Sequence, residues 1–170
     1  MALFRDDRRI RPAKGRDGFD VRLPDDEREL LMSLPGQLVE LLDEAAGNDE
    51  LMRQDPALAR LYPDAYGEAD KEHAEEFRRL MNEDLRERHR SALEMLASTA
   101  SRDYVDAEEL HAWMSAINQL RLVLGTRLGV TEDMDRDDLR EDDPNFAAYN
   151  LYGYLSWLQE QVVEALSSTL

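Results

Sequence analysis

Residues 106–129 show the clearest pattern of apolar and polar positions in the chain. Their apolar residues recur every three or four positions, which is the spacing of one face of an α-helix. These residues are Leu110, Trp113, Met114, Ile117, Leu120, Leu124 and Leu128. Asp106 and Glu109 match a capping box, and Gly129 stands where a left-handed residue ends a helix. The pattern predicts a helix with locally specified ends, and we expect it at the centre of the fold.

Three further stretches, residues 25–45, 68–97 and 144–170, have the same spacing and also predict helices. Pro35 and Gly36 interrupt the first stretch without shifting its apolar register, which indicates one kinked helix or two abutting helices. In the second stretch, the stripe expected to face inward consists of Phe77, Leu80, Met81, Leu85, Ala92, Met95 and Leu96. A short helix around Leu58 and Leu61 is predicted between the first two.

Residues 3–23 have the pattern of a β-hairpin. Phe19, Val21 and Leu23 alternate with polar residues, and residues 15–18 supply glycines for the turn. The predicted fold is therefore mainly α: a bundle of about four principal helices with an N-terminal β-hairpin. With 170 residues, the chain is expected to form one domain over 1–170, with 1–23 as a hairpin arm and 25–170 as the bundle.

The formal net charge is −17, and such a field repels phosphate backbones and anionic lipids. The first 22 residues carry the opposite charge. Two hypotheses fit them: a solvated edge strand protected by its charges, or an arm that contacts nucleic acid or an acidic partner. The residues expected to make such a contact are Arg5, Arg8, Arg9 and Arg11. No apolar run is long enough to span a bilayer, and the start lacks a signal-peptide core, so we expect a cytoplasmic protein.

Residues 131–143 form an acidic segment that superficially resembles a calcium-binding loop. Asp138 stands where an EF-hand requires Gly, and Pro144 stands where it requires a bidentate Glu, so the EF-hand reading is excluded. A solvated acidic loop is the expected structure, and a weak cation site or basic-partner site is the alternative.

One buried polar layer is predicted from residues that interrupt apolar faces. Arg121 lies near the middle of the central apolar face, where its guanidinium needs acceptors. Asp84 and Arg88 lie on the inward stripe of the 68–97 helix at i, i+4 spacing. We expect Arg121 to pair with Asp84, as a device that specifies the fold.

Aromatic residues on the last helix suggest an interaction surface. Phe146, Tyr149 and Trp157 fall away from its inner face. Most aromatic side chains belong to cores, but aromatics are also enriched at the centres of interfaces. These three residues therefore predict an interface, and we expect it to form a homodimer.

Catalytic and metal-binding patterns are weak. A di-iron carboxylate bundle needs two Glu-x-x-His pairs, and only Glu108 and His111 fit well. There is no nucleophile elbow, and the sequence contains 0 Cys, which excludes disulfides, thiolate metal sites and a thiol switch in this chain. We expect no enzyme activity, no cofactor and no metal. A metal-carboxylate bundle is a remote alternative.

Several segments carry a resemblance to a known family. The chain contains LPGQLVELLDE, WMSAINQLRLVLGTRLGV and YNLYGYLSWLQEQVVEAL, and in these it resembles the actinobacterial AosR-type oxidative stress transcriptional regulators, formerly a domain of unknown function. The resemblance implies a cytoplasmic regulatory protein that acts in transcription, triggered by thiol oxidation in members with paired cysteines. Since this chain has no cysteine, that trigger does not carry over.

The expected function is therefore a non-enzymatic regulator linked to transcription and oxidative stress. Because of the negative charge, contact with a protein of the transcription machinery is expected rather than direct DNA binding. The alternative is a homo-oligomeric helical adaptor or structural protein with no role in transcription.

Overall fold

The structure is a computed structural model that describes residues 7–62, 71–131 and 139–170. The helices are α1 (Asp25–Ala45), α2 (Asp49–Gln54), α3 (Pro56–Leu61), α4 (Lys71–Thr99), α5 (Ala107–Leu128) and α6 (Phe146–Ser167), and the strands are β1 (Ile10–Pro12), β2 (Phe19–Val21) and β3 (Tyr104–Val105). The fold is mainly α, as predicted, and α1, α4, α5 and α6 are the long helices of the described residues. None of the described helices is both long and apolar enough to cross a bilayer.

Helix α5 is the central element, and its ends lie where the sequence predicts. The Glu109 amide donates to Asp106 Oδ1 at 2.8 Å, and the Asp106 amide donates to Glu109 Oε2 at 2.9 Å. Gly129 ends the helix with a φ of 66°. Helix α5 packs against α3, α4 and α6. Because neighbours surround it, its buried surface is wider than the predicted face and also includes Ala116, Gln119 and Val123.

Helix α1 is continuous through Pro35, which is buried inside it. Of the two predicted alternatives, one helix or two abutting helices, the structure shows one. The apolar register therefore decided the outcome over the helix-breaking tendency of proline, since Leu31, Leu38 and Leu42 are all buried on the same side.

The inward stripe predicted for α4 is wrong in its first half. Phe77, Leu80 and Met81 are 43%, 61% and 48% exposed, whereas Leu93 and Leu96 are fully buried. A helix of 29 residues is about 43 Å long, while the 21 residues of α1 span only about 31 Å. Only the C-terminal half of α4 lies in the core of the described residues. Residues 68–70, which were also predicted as helix, lie outside the described residues.

The predicted hairpin is present and gains a third strand. Strands β1 and β2 pair antiparallel with Ile10 opposite Val21, and β2 pairs antiparallel with β3 through Phe19 opposite Val105. These inward side chains join the hydrophobic core. The first residues of the predicted hairpin, 3–6, lie outside the described part of the chain, as does most of the acidic segment 131–143.

Arg28, in the first turns of α1, connects the sheet to the end of α4. All its guanidinium nitrogens donate hydrogen bonds. The acceptors are Leu23 O at 2.9 Å, Ala100 O at 3.1 Å, Arg102 O at 2.8 Å, Val21 O at 3.3 Å and Asp103 Oδ1 at 2.8 Å. The Arg28 side chain is only 14% exposed. It therefore satisfies backbone carbonyls where three chain segments meet, and we expect this single cation to contribute strongly to the stability of the fold.

His89 links α4 to the end of α3. Its Nε2 lies 3.0 Å from Leu61 O, and its ring meets the Tyr62 ring edge to face at 5.7 Å between centroids. Burial lowers the pKa of His89 below its usual value of 6.5, and the hydrogen bond to Leu61 opposes this in part. Burial also raises the pKa of Tyr62 to about 12. The contact is therefore built for the neutral imidazole.

Replacing Arg28 should destabilise the fold strongly. We expect Arg28→Ala to lower the free energy of unfolding by about 3 kcal/mol, because several part-buried carbonyls lose a charged donor together. Arg60→Ala is the matched control, since Arg60 is exposed on α3, and it should change stability by less than about 0.5 kcal/mol. Urea melts of the two variants measure both values, and equal effects would contradict the assigned role of Arg28.

Acidification should destabilise the protein through His89. The unfolded chain protonates its histidine near pH 6.5, whereas the folded chain takes up that proton only at lower pH, so stability rises with pH across this window. His89→Gln should make the melting temperature less sensitive to pH between 7.5 and 5.5. His111→Gln, on the exposed side of α5, should keep the wild-type slope. A slope that His89→Gln leaves unchanged would refute the assignment.

Candidate protein-interaction site

A groove of about 400 Å³ runs along one face of α6. Phe146, Tyr149, Gly153 and Trp157 follow one another at spacings of three or four residues, which places them on one side of the helix. The lining residues are Leu139, Phe146, Tyr149, Asn150, Gly153, Tyr154 and Trp157. The three aromatics predicted as an interface therefore line one groove, and each is half-buried. Whether they contact a second copy of the chain stays a prediction.

Tyr149, Tyr154 and Trp157 form an aromatic wall of the groove, and hydrogen bonds fix this wall to neighbouring helices. The Tyr149 hydroxyl donates to Leu128 O at 3.2 Å, and the Tyr154 hydroxyl donates to Glu27 Oε2 at 3.0 Å. The Tyr154 and Trp157 rings lie 6.0 Å apart between centroids. The wall is thus anchored to α5 and α1, so its shape is set before any partner binds.

Arg9 closes a polar cluster at the end of the groove. Its amide donates to Gln161 Oε1 at 3.1 Å, and its Nη2 lies 3.6 Å from Glu27 Oε1. Its Cζ lies 5.8 Å from the centroid of the Trp157 ring, within cation–π range. Through Arg9, the strand side of the molecule contacts both α1 and α6.

The chemistry of Tyr154 is that of a donor and not of an acid or base. Burial raises its pKa far above the usual range, and the negative charge of Glu27 adds to the effect. The phenol therefore stays protonated at physiological pH and holds the carboxylate in place.

The predicted buried polar layer of Asp84, Arg88 and Arg121 is wrong. Asp84 and Arg88 form an ion pair with each other, but their side chains are 55% and 71% exposed. They lie on the part of α4 that extends beyond the core. Because water solvates both charges there, the pair does not need Arg121 as a third partner. The i, i+4 spacing predicted their pairing, but it did not reveal their exposure.

Arg121 points toward α6 and not toward α4. Its Nε donates to Ser156 Oγ at 3.0 Å and its Nη1 donates to Gln159 Oε1 at 3.0 Å. Its Cζ lies 5.7 Å from the centroid of the Tyr152 ring. The acceptors are neutral side chains at the edge of the α5–α6 contact, where the guanidinium is only part-buried.

The structure separates the members of the predicted basic arm. Arg5 lies outside the described residues, Arg8 is exposed, and Arg9 belongs to the groove cluster. Arg11 instead lines a concavity on the sheet together with Lys14, Arg16 and Arg22. Sequence reasoning missed these last three residues, although strand alternation placed Arg11 and Arg22 opposite the buried side chains.

No group of three or more His, Cys, Asp or Glu side chains is placed to hold a metal ion within the described residues.

Comparisons with known proteins place the chain in a family. Residues 5–166 match a family described as "Domain of unknown function (DUF2017)". The "Oxidative stress regulator AosR" of Mycobacterium tuberculosis H37Rv is 30% identical over 192 residues, covering 94% of this chain and 88% of that protein. The "Putative oxidative stress regulator AosR" of Mycobacterium leprae is 28% identical, covering 95% and 88%. No solved structure matches the chain significantly.

The revised position of Arg121 predicts a moderate effect of its removal. We expect Arg121→Ala to cost about 1–2 kcal/mol of stability, since two neutral acceptors lose their donor but no buried carboxylate is orphaned. Asp84→Asn, the test of the original pairing, should cost less than about 0.5 kcal/mol because the group is exposed. Equal losses in the free energy of unfolding, with non-additivity in the double variant, would instead show that Arg121 and Asp84 interact.

Proposed function

This chain belongs to the DUF2017 family, and from that premise we propose that it is a regulatory protein of the oxidative stress response that acts through protein contacts and not through catalysis. The mycobacterial relatives are named as oxidative stress regulators, and this supports the regulatory role. The match extends over 94% of the chain, so it concerns the described fold and not one short motif.

The groove on α6 is the observation that carries the protein-contact mechanism. Its lining is largely aromatic, and hydrogen bonds anchor its Tyr149 and Tyr154 side chains. Preorganised aromatic grooves suit apolar anchors of a partner, since few rotamers remain to be ordered on binding. In our proposal, the groove receives a protein of the transcription machinery.

Charge supports a protein partner over DNA. A net charge of −17 repels a phosphate backbone but attracts a basic protein surface, and it raises the rate of encounter with such a surface. The stress signal must reach this chain by a route other than cysteine oxidation, since the chain contains 0 Cys. In our proposal, a change in the partner or its abundance conveys the signal.

Disrupting the groove should abolish the regulatory effect while preserving the fold. A strain that lacks the gene is complemented with wild-type protein, Trp157→Ala or Val163→Ala, and survival after peroxide is measured. We expect wild type and Val163→Ala to restore survival and Trp157→Ala to fail, because Trp157 lines the groove and Val163 is exposed on α6 outside it.

Thermal melts and light scattering of the purified variants complete the test. Trp157→Ala must remain folded and keep the wild-type oligomeric state for its failure to implicate a partner. Full complementation by a folded Trp157→Ala would refute the groove as the contact site. A normal peroxide response in the deletion strain would refute the regulatory role. Dissociation of a homodimer by Trp157→Ala would instead support the homo-oligomeric alternative.

A further inference from the structure

Strand alternation gives the sheet an outer face that is strongly basic. Ile10 and Val21 face the core, so Arg11, Asp20 and Arg22, which alternate with them, face outward. In the register of the sheet, Arg11 on β1 lies opposite Asp20 on β2, and Asp20 lies opposite Tyr104 on β3. The Arg22 amide extends the ladder by donating to Arg9 O at 2.7 Å. The outward residues thus occupy fixed positions on a rigid element.

A concavity of about 270 Å³ lies on this face. Its lining consists of Arg11, Pro12, Lys14, Arg16, Asp20 and Arg22. Four cations therefore surround one carboxylate, and that carboxylate already accepts a hydrogen bond from Arg16 Nη2 at 3.2 Å. Cations therefore outnumber the carboxylate four to one in this lining, and this local excess of positive charge on a chain of net charge −17 favours an anionic ligand.

The turn that carries Lys14 and Arg16 is held in place. The Ala13 amide donates to Gly18 O at 2.9 Å, and the Tyr104 hydroxyl donates to Asp17 O at 2.6 Å. Gly18 has a φ of +97°, and a Cβ there would lie 2.6 Å from the Tyr104 ring, so only glycine fits. Arg16 stacks on the same ring, with its Cζ 4.0 Å from the centroid. The cations are thus largely preorganised.

We propose that this outer face of the sheet binds an acidic peptide segment of a partner protein. Guanidinium groups recognise carboxylates through paired, charge-assisted hydrogen bonds, and the concavity has the size of a few side chains. A DNA duplex is a rod with a charge about every 1.7 Å, so it would extend past the concavity. Beyond the concavity the duplex would be repelled by the rest of the chain, since the net charge is −17. A short flexible peptide avoids that repulsion.

This surface is separate from the groove on α6, so the proposal stands independently of the proposed function. The test is fluorescence anisotropy of a labelled octaglutamate peptide titrated with the full chain at low salt. Lys14→Gln/Arg22→Gln removes two exposed cations from the face. Arg60→Gln/Arg79→Gln is the matched control, since it removes two exposed cations from α3 and α4 and changes the net charge equally.

We expect wild-type binding that weakens with salt, a loss of about tenfold in the Lys14/Arg22 variant, and a change of less than about twofold in the control. Circular dichroism checks that both variants are folded, and Arg11→Gln provides a second variant of the face. Equal losses in the two double variants would overturn the proposal, as would no peptide binding by wild type. Tighter binding of a 20-base-pair duplex than of the peptide, lost in the Lys14/Arg22 variant, would also overturn it by assigning the face to nucleic acid.

Discussion

The first turns of α1 hold together every part of the molecule that carries a candidate function. Arg28 binds carbonyls at the end of β2, at the end of α4 and in the segment leading to β3. Without a cation there, these carbonyls would compete for water at a part-buried junction, and the third strand would lose its attachment to the bundle. The preceding residue, Glu27, points to α6 and accepts a hydrogen bond from the Tyr154 hydroxyl. Two adjacent side chains thus orient both the sheet and the groove.

The two candidate surfaces are therefore mechanically connected but chemically different. Arg9 lies beside the junction, where its amide binds α6 and its guanidinium faces Glu27 and Trp157. Arg11 follows two residues later in the chain, but it lines the basic concavity of the sheet and not the groove. A partner that moved the strand would thus also move the end of the aromatic wall.

Local signals in the sequence predicted local structure well. The capping box and Gly129 act within a few residues, so their pattern fixes the ends of α5 wherever the helix packs. Which face has a neighbour is a tertiary property. The helical spacing of apolar residues at Phe77 and Leu80 could not show that these side chains remain exposed among the described helices. Likewise, Arg121 contacts α6 because of the rotation of α5 about its own axis, which the sequence pattern does not specify. Strand β3 has two residues, too few for a period. The groove aromatics were identified because they depart from an otherwise consistent inner face.

Salt separates the contributions of the two surfaces to any complex that uses both. The groove on α6 would contribute mainly through apolar burial, which moderate salt leaves nearly unchanged. The sheet would contribute through exposed charges, which are screened over about 8 Å at physiological ionic strength. A partner anchored by an apolar segment in the groove and an acidic segment on the sheet would keep part of its affinity at high salt. The residual affinity then measures the groove, and the lost part measures the sheet together with the attraction of the acidic chain for a basic surface of the partner.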